Sequence, residues 1–258
     1  MKNSRQETRP PQVKIPGVIG GMGPEATVDF LAKIVASAGA TCDQDHIRML
    51  LDHNPTLPSR QVALASDPAP VGEAIAAMAK GLEKSGADFI VIPSNTAHAF
   101  LPFIKAAINI PIVDIIEETV SQIQKASIGD DTNQQVGIMA TPACLTANLY
   151  QAALTAEALH PVVWPEQEEA AFMALVYEVK AGTAHSKIKP AMKKLALSLV
   201  EKGATALIAG CTEIPLILEP SDLPVPFFSS TDILVERTLC YALGKEPLPS
   251  MEPRPINL

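Results

Sequence analysis

The feature that most constrains this chain is a strand design that occurs twice. Ala87-Asp88-Phe89-Ile90-Val91-Ile92 runs into Pro93-Ser94-Asn95-Thr96-Ala97-His98, and Ala204-Thr205-Ala206-Leu207-Ile208-Ala209-Gly210 runs into Cys211-Thr212-Glu213. Short apolar runs of this kind, lying between segments with helical apolar spacing, read as parallel strands buried on both faces. In the first half, strands are expected at Lys14–Gly20, Ile47–Leu51, Phe89–Ile92 and Ile110–Val113. Pro24 suits the first turn of a helix running through Val35. A second helix is expected over Val71–Ser85, stopped by Gly86. In the second half, strands are expected at Gln135–Ala140, Val162–Trp164 and Ala206–Ala209. Helices are expected near Leu145–Ala156 and over Glu166–Ala181 and Ser186–Lys202. Strands alternating with helices predict right-handed β-α-β units.

The halves also match in detail. Val18-Ile19-Gly20-Gly21-Met22-Gly23-Pro24 corresponds in role to Val136-Gly137-Ile138-Met139-Ala140-Thr141-Pro142, and the Ser94 strand to the Cys211 strand. The predicted class is therefore α/β, with two pseudo-symmetric Rossmann-like domains, each a parallel sheet flanked by helices. The first is expected to take residues 1–116 plus 225–258, with 1–13 a loose extension; the second takes 117–224. Ligands of open α/β sheets bind beyond the carboxyl ends of the strands. Ser94 and Cys211 both stand at such ends, so two domains facing each other would present them to one molecule from opposite sides of an interdomain cleft.

Composition narrows the function. The chain has 258 residues, 47% of them hydrophobic and 4% aromatic, with a formal net charge of −8. That balance argues against a nucleic-acid or anionic-membrane surface, but a small anion could still bind where a few cations are placed locally. No apolar run approaches the roughly 18–20 residues of a membrane span. Cys42, Cys144, Cys211 and Cys240 form no C-x-x-C pair and no metal-ligand spacing. The expectation is a reduced cytoplasmic protein without a metal.

Cys211 is the first candidate for chemistry. A thiol has an ordinary pKa of about 8.5, and a helix starting just after Cys211 would help hold a thiolate near neutral pH; packing as an inert buried cysteine is the alternative. Ser94 needs an adjacent base to act, and His98, four residues on, is the nearest in sequence. There is no G-x-S-x-G elbow, and Ser94, Asn95 and Thr96 equally suit the cap of a helix. Arg60 can fork a carboxylate, or can be a solvated loop residue. Lys180 sits where a helix is expected to end, and a cation is favourable there without any function. The glycines at 20, 21 and 23 match neither a dinucleotide fingerprint nor a Walker loop.

Taken together, these segments resemble the aspartate/glutamate racemase family, closest to its aspartate racemase branch. The resemblance is collinear over most of residues 15–240. It rests on Gly20-Gly21-Met22-Gly23-Pro24-Glu25-Ala26-Thr27, Asn54-Pro55 with Pro58-Ser59-Arg60, and Gly86-Ala87-Asp88-Phe89-Ile90. It continues through Asn95-Thr96-Ala97-His98, Ile115-Ile116-Glu117-Glu118-Thr119, Val179-Lys180-Ala181-Gly182 and Gly210-Cys211-Thr212-Glu213. It implies cofactor-independent racemisation, without pyridoxal, by two thiols on opposite faces of an acidic amino acid, aspartate or glutamate, and commonly a homodimer. Carried over by position, Cys211 is the second-domain acid/base and Ser94 replaces the first-domain cysteine. Arg60 and Lys180 match basic residues associated with the substrate. Met22, Asn95, Thr96 and Thr212 match groups around it, and Ser59 stands where the family often has Asp.

The resemblance leaves Ser94 with three accounts. It makes the site one-sided, as in relatives that carry a hydroxyl residue there and favour one enantiomer; or it is an introduced replacement for a catalytic cysteine; or the scaffold runs different, single-cysteine chemistry such as decarboxylation or maleate isomerisation. A non-enzymatic amino-acid-binding protein, with Cys211 merely packed, is the remaining alternative.

Overall fold

Two four-stranded parallel sheets, built to one plan, organise the computed structural model, which describes residues 13–126 and 134–250. The first half contains β1 (Pro16–Gly20), α1 (Pro24–Ser37), β2 (Leu50–His53), α2 (Arg60–Ala65), α3 (Ala69–Lys84), β3 (Phe89–Val91), α4 (Leu101–Lys105), β4 (Ile112–Val113) and α5 (Ile115–Ala126). The second contains β5 (Gln135–Ala140), α6 (Pro142–Thr146), α7 (Leu149–Ala156), β6 (His160–Val162), α8 (Glu166–Lys180), α9 (His185–Glu201), β7 (Ala206–Gly210), β8 (Phe227–Ser229) and α10 (Ser230–Ala242). The sheet orders are β2-β1-β3-β4 and β6-β5-β7-β8. Each half thus places its second strand outside its first and its third on the other side. The chain reverses direction across the sheet between β1 and β3, and again between β5 and β7, and a ligand crevice opens at such a reversal. Ser94 follows β3 and Cys211 follows β7, so each lies beside one of these points.

The strands are short because side chains on both faces must be covered. Along β1 and β3, Val18, Phe89 and Val91 enter an interior shared by the two halves, while Ile19, Ile90 and Ile92 pack outward beneath α3 and α4. Val136, Ile138 and Ala140 of β5 enter the same shared interior, and Met139 packs with α8 and α9. A two-residue side-chain period with both faces apolar produces the continuous hydrophobic runs seen in the sequence.

Several expected boundaries move, for physical reasons. The second strand is Leu50–His53 rather than Ile47–Leu51, since Ile47 is buried ahead of the strand and Leu50 pairs with Gly17. The short strand near 162 ends at Val162; Trp164 is buried because it packs on Phe172, and its indole N–H donates to the Leu195 carbonyl at 3.0 Å. The helix expected over 145–156 breaks at Asn148, which adopts a left-handed φ of 56°. Residues 225–229 were expected with the first half, yet β8 pairs with β7 in the second sheet; only α10 turns back, packing on α1 and α5. There Arg237, buried, meets Glu118 at 2.8 Å and Glu246 at 2.6 Å, tying α10 to α5 and to the turn after α10. The expected extension at 1–13 falls, except for Val13, outside the described residues.

The turn after β1 requires Gly21. Its φ is +91°, and a Cβ there would lie 2.4 Å from the Asn54 backbone. Its N–H is taken by the Thr27 hydroxyl at 2.9 Å, which in turn donates to the Gly23 carbonyl. We expect Gly21→Ala to cost roughly 1–3 kcal/mol from backbone strain, with the clash adding to it, read as a lower urea midpoint at unchanged slope; an unaltered midpoint would contradict this account of the turn.

Candidate active site

A cavity of about 80 Å³ lies where the carboxyl ends of the two sheets meet. That is small beside the roughly 300–1,000 Å³ of drug-sized pockets and suits a ligand of few atoms. Nine of the residues singled out from the sequence line it: Met22, Ser59, Arg60, Ser94, Asn95, Thr96, Lys180, Cys211 and Thr212; His98 does not. Gln61, Thr141, Met173, Tyr177, Gly210 and Glu213 complete the wall. Thr141 directly follows β5, as Gly21 follows β1, and that correspondence between the halves was available as a signal. Met173, Tyr177 and Lys180 share one face of α8 at helical spacing; nothing in the sequence alone says which face of α8 looks into the cleft.

Cys211 is buried, 5% exposed, and its thiol donates to Glu213 Oε2 at 2.9 Å. The Thr212 hydroxyl donates to the same oxygen at 3.3 Å. Lys180 Nζ lies 3.3 Å from the other carboxylate oxygen. Burial first, and then the adjacent Glu213 carboxylate, push the Cys211 pKa well above the ordinary thiol value. This corrects the expected thiolate at neutral pH. The expected helix after Cys211 is a single 3₁₀ turn, Ile214–Leu216, and offers little dipole to oppose the burial. Cys211 is therefore a thiol with a carboxylate acceptor at hand.

The Ser94 side differs at each corresponding position. Ser94 is 6% exposed, but His98 does not reach its hydroxyl. The His98 ring is buried, with Nδ1 2.9 Å from the Ser94 carbonyl oxygen and Nε2 accepting the Ile115 N–H at 3.2 Å. Both nitrogens thus serve the backbone, and His98 is not the base suggested by its spacing. Two residues after Cys211 stands Glu213; two residues after Ser94 stands Thr96, whose hydroxyl pairs with Thr141 at 2.9 Å. No carboxylate takes the corresponding place.

Asn95 does not act as the cap its sequence position suggests. Asn95 makes no capping bond to the following 3₁₀ turn. It accepts from the Tyr150 hydroxyl at 2.6 Å and donates to Ser230 Oγ at 3.1 Å, which donates to the Ala209 carbonyl. This chain of bonds links the end of β3 to β7 beneath the cavity. Ser59 is the N-cap of α2, accepting from Val62 N–H at 3.4 Å. Arg60, next to it, donates to the Leu57 and Pro58 carbonyls at 3.5 and 3.2 Å and forms no ion pair within 4.0 Å among the described residues. Burial lowers its pKa, partly offset by Glu213. Lys180, the last residue of α8, is committed to Glu213. Two cations against one carboxylate leave the lining with a net positive charge. Among the described residues, no three His, Cys, Asp or Glu side chains are grouped to hold a metal ion, and no helix is long and apolar enough to cross a membrane.

Two four-stranded parallel sheets flanked by helices, with a cleft at their carboxyl ends, form the setting of the site. Residues 19–238 match the Asp/Glu/Hydantoin racemase family, and the chain belongs to it. The broad-specificity amino-acid racemase RacX of Bacillus subtilis is 26% identical over 230 residues, covering 86% of this chain and 96% of that protein. The Picrophilus torridus aspartate racemase structure superposes with a TM-score of 0.78 at 27% identity, covering 90% of this chain and 94% of that one. An aspartate racemase homologue from Pyrococcus horikoshii gives 0.70 at 25% identity, covering 89% and 99%.

Glu213→Gln removes the charge that opposes ionisation of Cys211, so its thiolate should form at lower pH. Ultraviolet titration of the thiolate, taken as the difference from Cys211→Ala, should show the transition moving toward acid; an unmoved transition would mean burial alone sets it.

Proposed function

We propose that this protein is a cofactor-independent amino-acid racemase working on an acidic amino acid, aspartate first, through a one-sided site. The observation that carries the reading is the pairing of Cys211 with Glu213 across one small cavity from a Ser94 that has no such partner. The α-proton of an amino acid is weakly acidic, so its removal needs a base in line with it and donors for the charge that develops on the carboxylate. Glu213 accepts the Cys211 proton, the thiolate takes the α-proton, and the electron pair left on carbon spreads into the substrate carboxylate. Arg60, a half-buried guanidinium without an ion-pair partner among the described residues, supplies the cation for a carboxylate. The net positive lining favours a substrate with net charge −1 over a neutral amino acid, which supports the acidic class among relatives that include both aspartate and broad-specificity racemases.

Inversion requires a proton from the opposite face. A serine hydroxyl is a far weaker acid than a thiol, and among the described residues no base pairs with the Ser94 hydroxyl to regenerate it. The expected behaviour is rapid exchange of the α-hydrogen of one enantiomer with slow inversion.

Proton NMR of L- and D-aspartate, incubated separately in D₂O, tests this directly. One enantiomer should lose its α-proton signal without appreciable conversion, and Cys211→Ala should abolish the loss. Exchange that persists in Cys211→Ala would remove the thiol from the mechanism, and the absence of exchange with aspartate and glutamate would favour a binding protein. Restoring a thiol with Ser94→Cys should raise interconversion about 10²–10⁴-fold, the usual contribution of a general acid–base group; unchanged turnover in that variant would defeat the two-face account.

A further inference from the structure

The reactive residues are closed in: Ser94 and Cys211 are each about 95% buried, yet a substrate must reach them. The wall that carries Arg60 is lightly anchored. α2 has six residues, of which only Ala63 is buried, and Val62 is 65% exposed. Among the described residues, the Arg60 side chain bonds to carbonyls of the loop just before its own helix, so it does not fasten α2 to the other half. Gln61 does. Its Oε1 accepts the Ala143 N–H of α6 at 3.3 Å, and its Nε2 lies 3.2 Å from Met173 Sδ on α8.

The bond to Ala143 completes a helix start from across the cleft. The first N–H groups of a helix have no partner inside it. In α6 the first residue, Pro142, has no N–H, and Thr141 takes the Cys144 N–H at 3.4 Å. The N–H of Ala143 between them is met by Gln61. When α2 lifts away, that N–H is left to solvent, so the closed arrangement is favoured by a bond that exists only across the cleft.

We propose that Gln61 is the latch of the cavity: a positioning residue that holds α2, and with it Arg60, against α6 and α8, and whose release admits substrate. That Arg60 then meets a substrate carboxylate rests on the racemase reading; the latch itself does not.

Alkylation of the ligand-free protein by iodoacetamide, followed cysteine by cysteine by peptide mass spectrometry, separates the two. Gln61→Ala should speed modification of Cys211 about tenfold, the weight of roughly one net hydrogen bond on the open–closed balance. Cys144, 1% exposed in the shared interior, should remain as unreactive as in the parent protein. Equal Cys211 rates in the two proteins would overturn the latch. So would faster modification of Cys144 alongside Cys211, since Gln61 would then be supporting the fold at large. In α-hydrogen exchange, Gln61→Ala should raise KM for aspartate more than it lowers kcat, because the chemistry at Cys211 and Glu213 is untouched. A parent protein that exchanges no substrate, combined with faster Cys211 alkylation in the variant, would sink the racemase reading and leave the latch standing.

Discussion

Parallel strands must be covered on both faces, and the rest of this molecule follows from how that is done. Each sheet has helices on its outer face, while the inner faces share one interior into which α1, α5 and α10 also pack. Sharing an interior brings the carboxyl ends of β3 and β7 toward each other. It also makes the polar residues at those ends either bond to one another or face a cavity. Tyr150 and Ser230 take the first course and Ser94 the second, while Asn95 and Cys211 do both. The cleft is thus a product of core packing, and its floor is fixed by buried hydrogen bonds that would be costly to leave unmade.

The two halves repeat one sheet plan, but the side chains at their corresponding strand ends differ. Glu213 and Thr96 stand at corresponding places. One accepts a thiol proton and is held by Lys180; the other ties its own half to Thr141. Burial raises the cost of ionising Cys211, so the carboxylate beside it, which accepts the thiol's hydrogen bond, matters more than it would in water. A hydroxyl at Ser94, without such a neighbour, remains a hydroxyl. The chemical asymmetry of the site therefore resides as much in the second neighbours as in the sulfur and oxygen themselves.

The strand order and the cavity lining were legible to different degrees. Residues following strand ends, such as Ser94 and Cys211, could be located because an apolar run followed by small polar residues marks where a buried strand meets solvent or ligand. Arg60 and Lys180 were legible only through their likeness to a family pattern, since an arginine after a proline or a lysine at a helix end is ordinary on its own. Gln61 and Met173 carried no signal, because their contact joins residues 112 positions apart. Trp164 and Ile47 misled in the opposite direction: both are apolar for the core while lying outside the strands.

What the sequence by itself determined is the repeated β-α alternation, the two parallel sheets it implies and the positions of the thiol and hydroxyl at their carboxyl ends, because periodicity and chain reversal are local properties. What only the tertiary structure decided is the state of those groups. His98 turns its ring to the backbone rather than to the Ser94 hydroxyl, Glu213 accepts a hydrogen bond from the Cys211 thiol, and β8 joins the second sheet before α10 returns to the first. Each of these depends on which distant surfaces come to share one interior, and on the cost of leaving a polar group there without a partner.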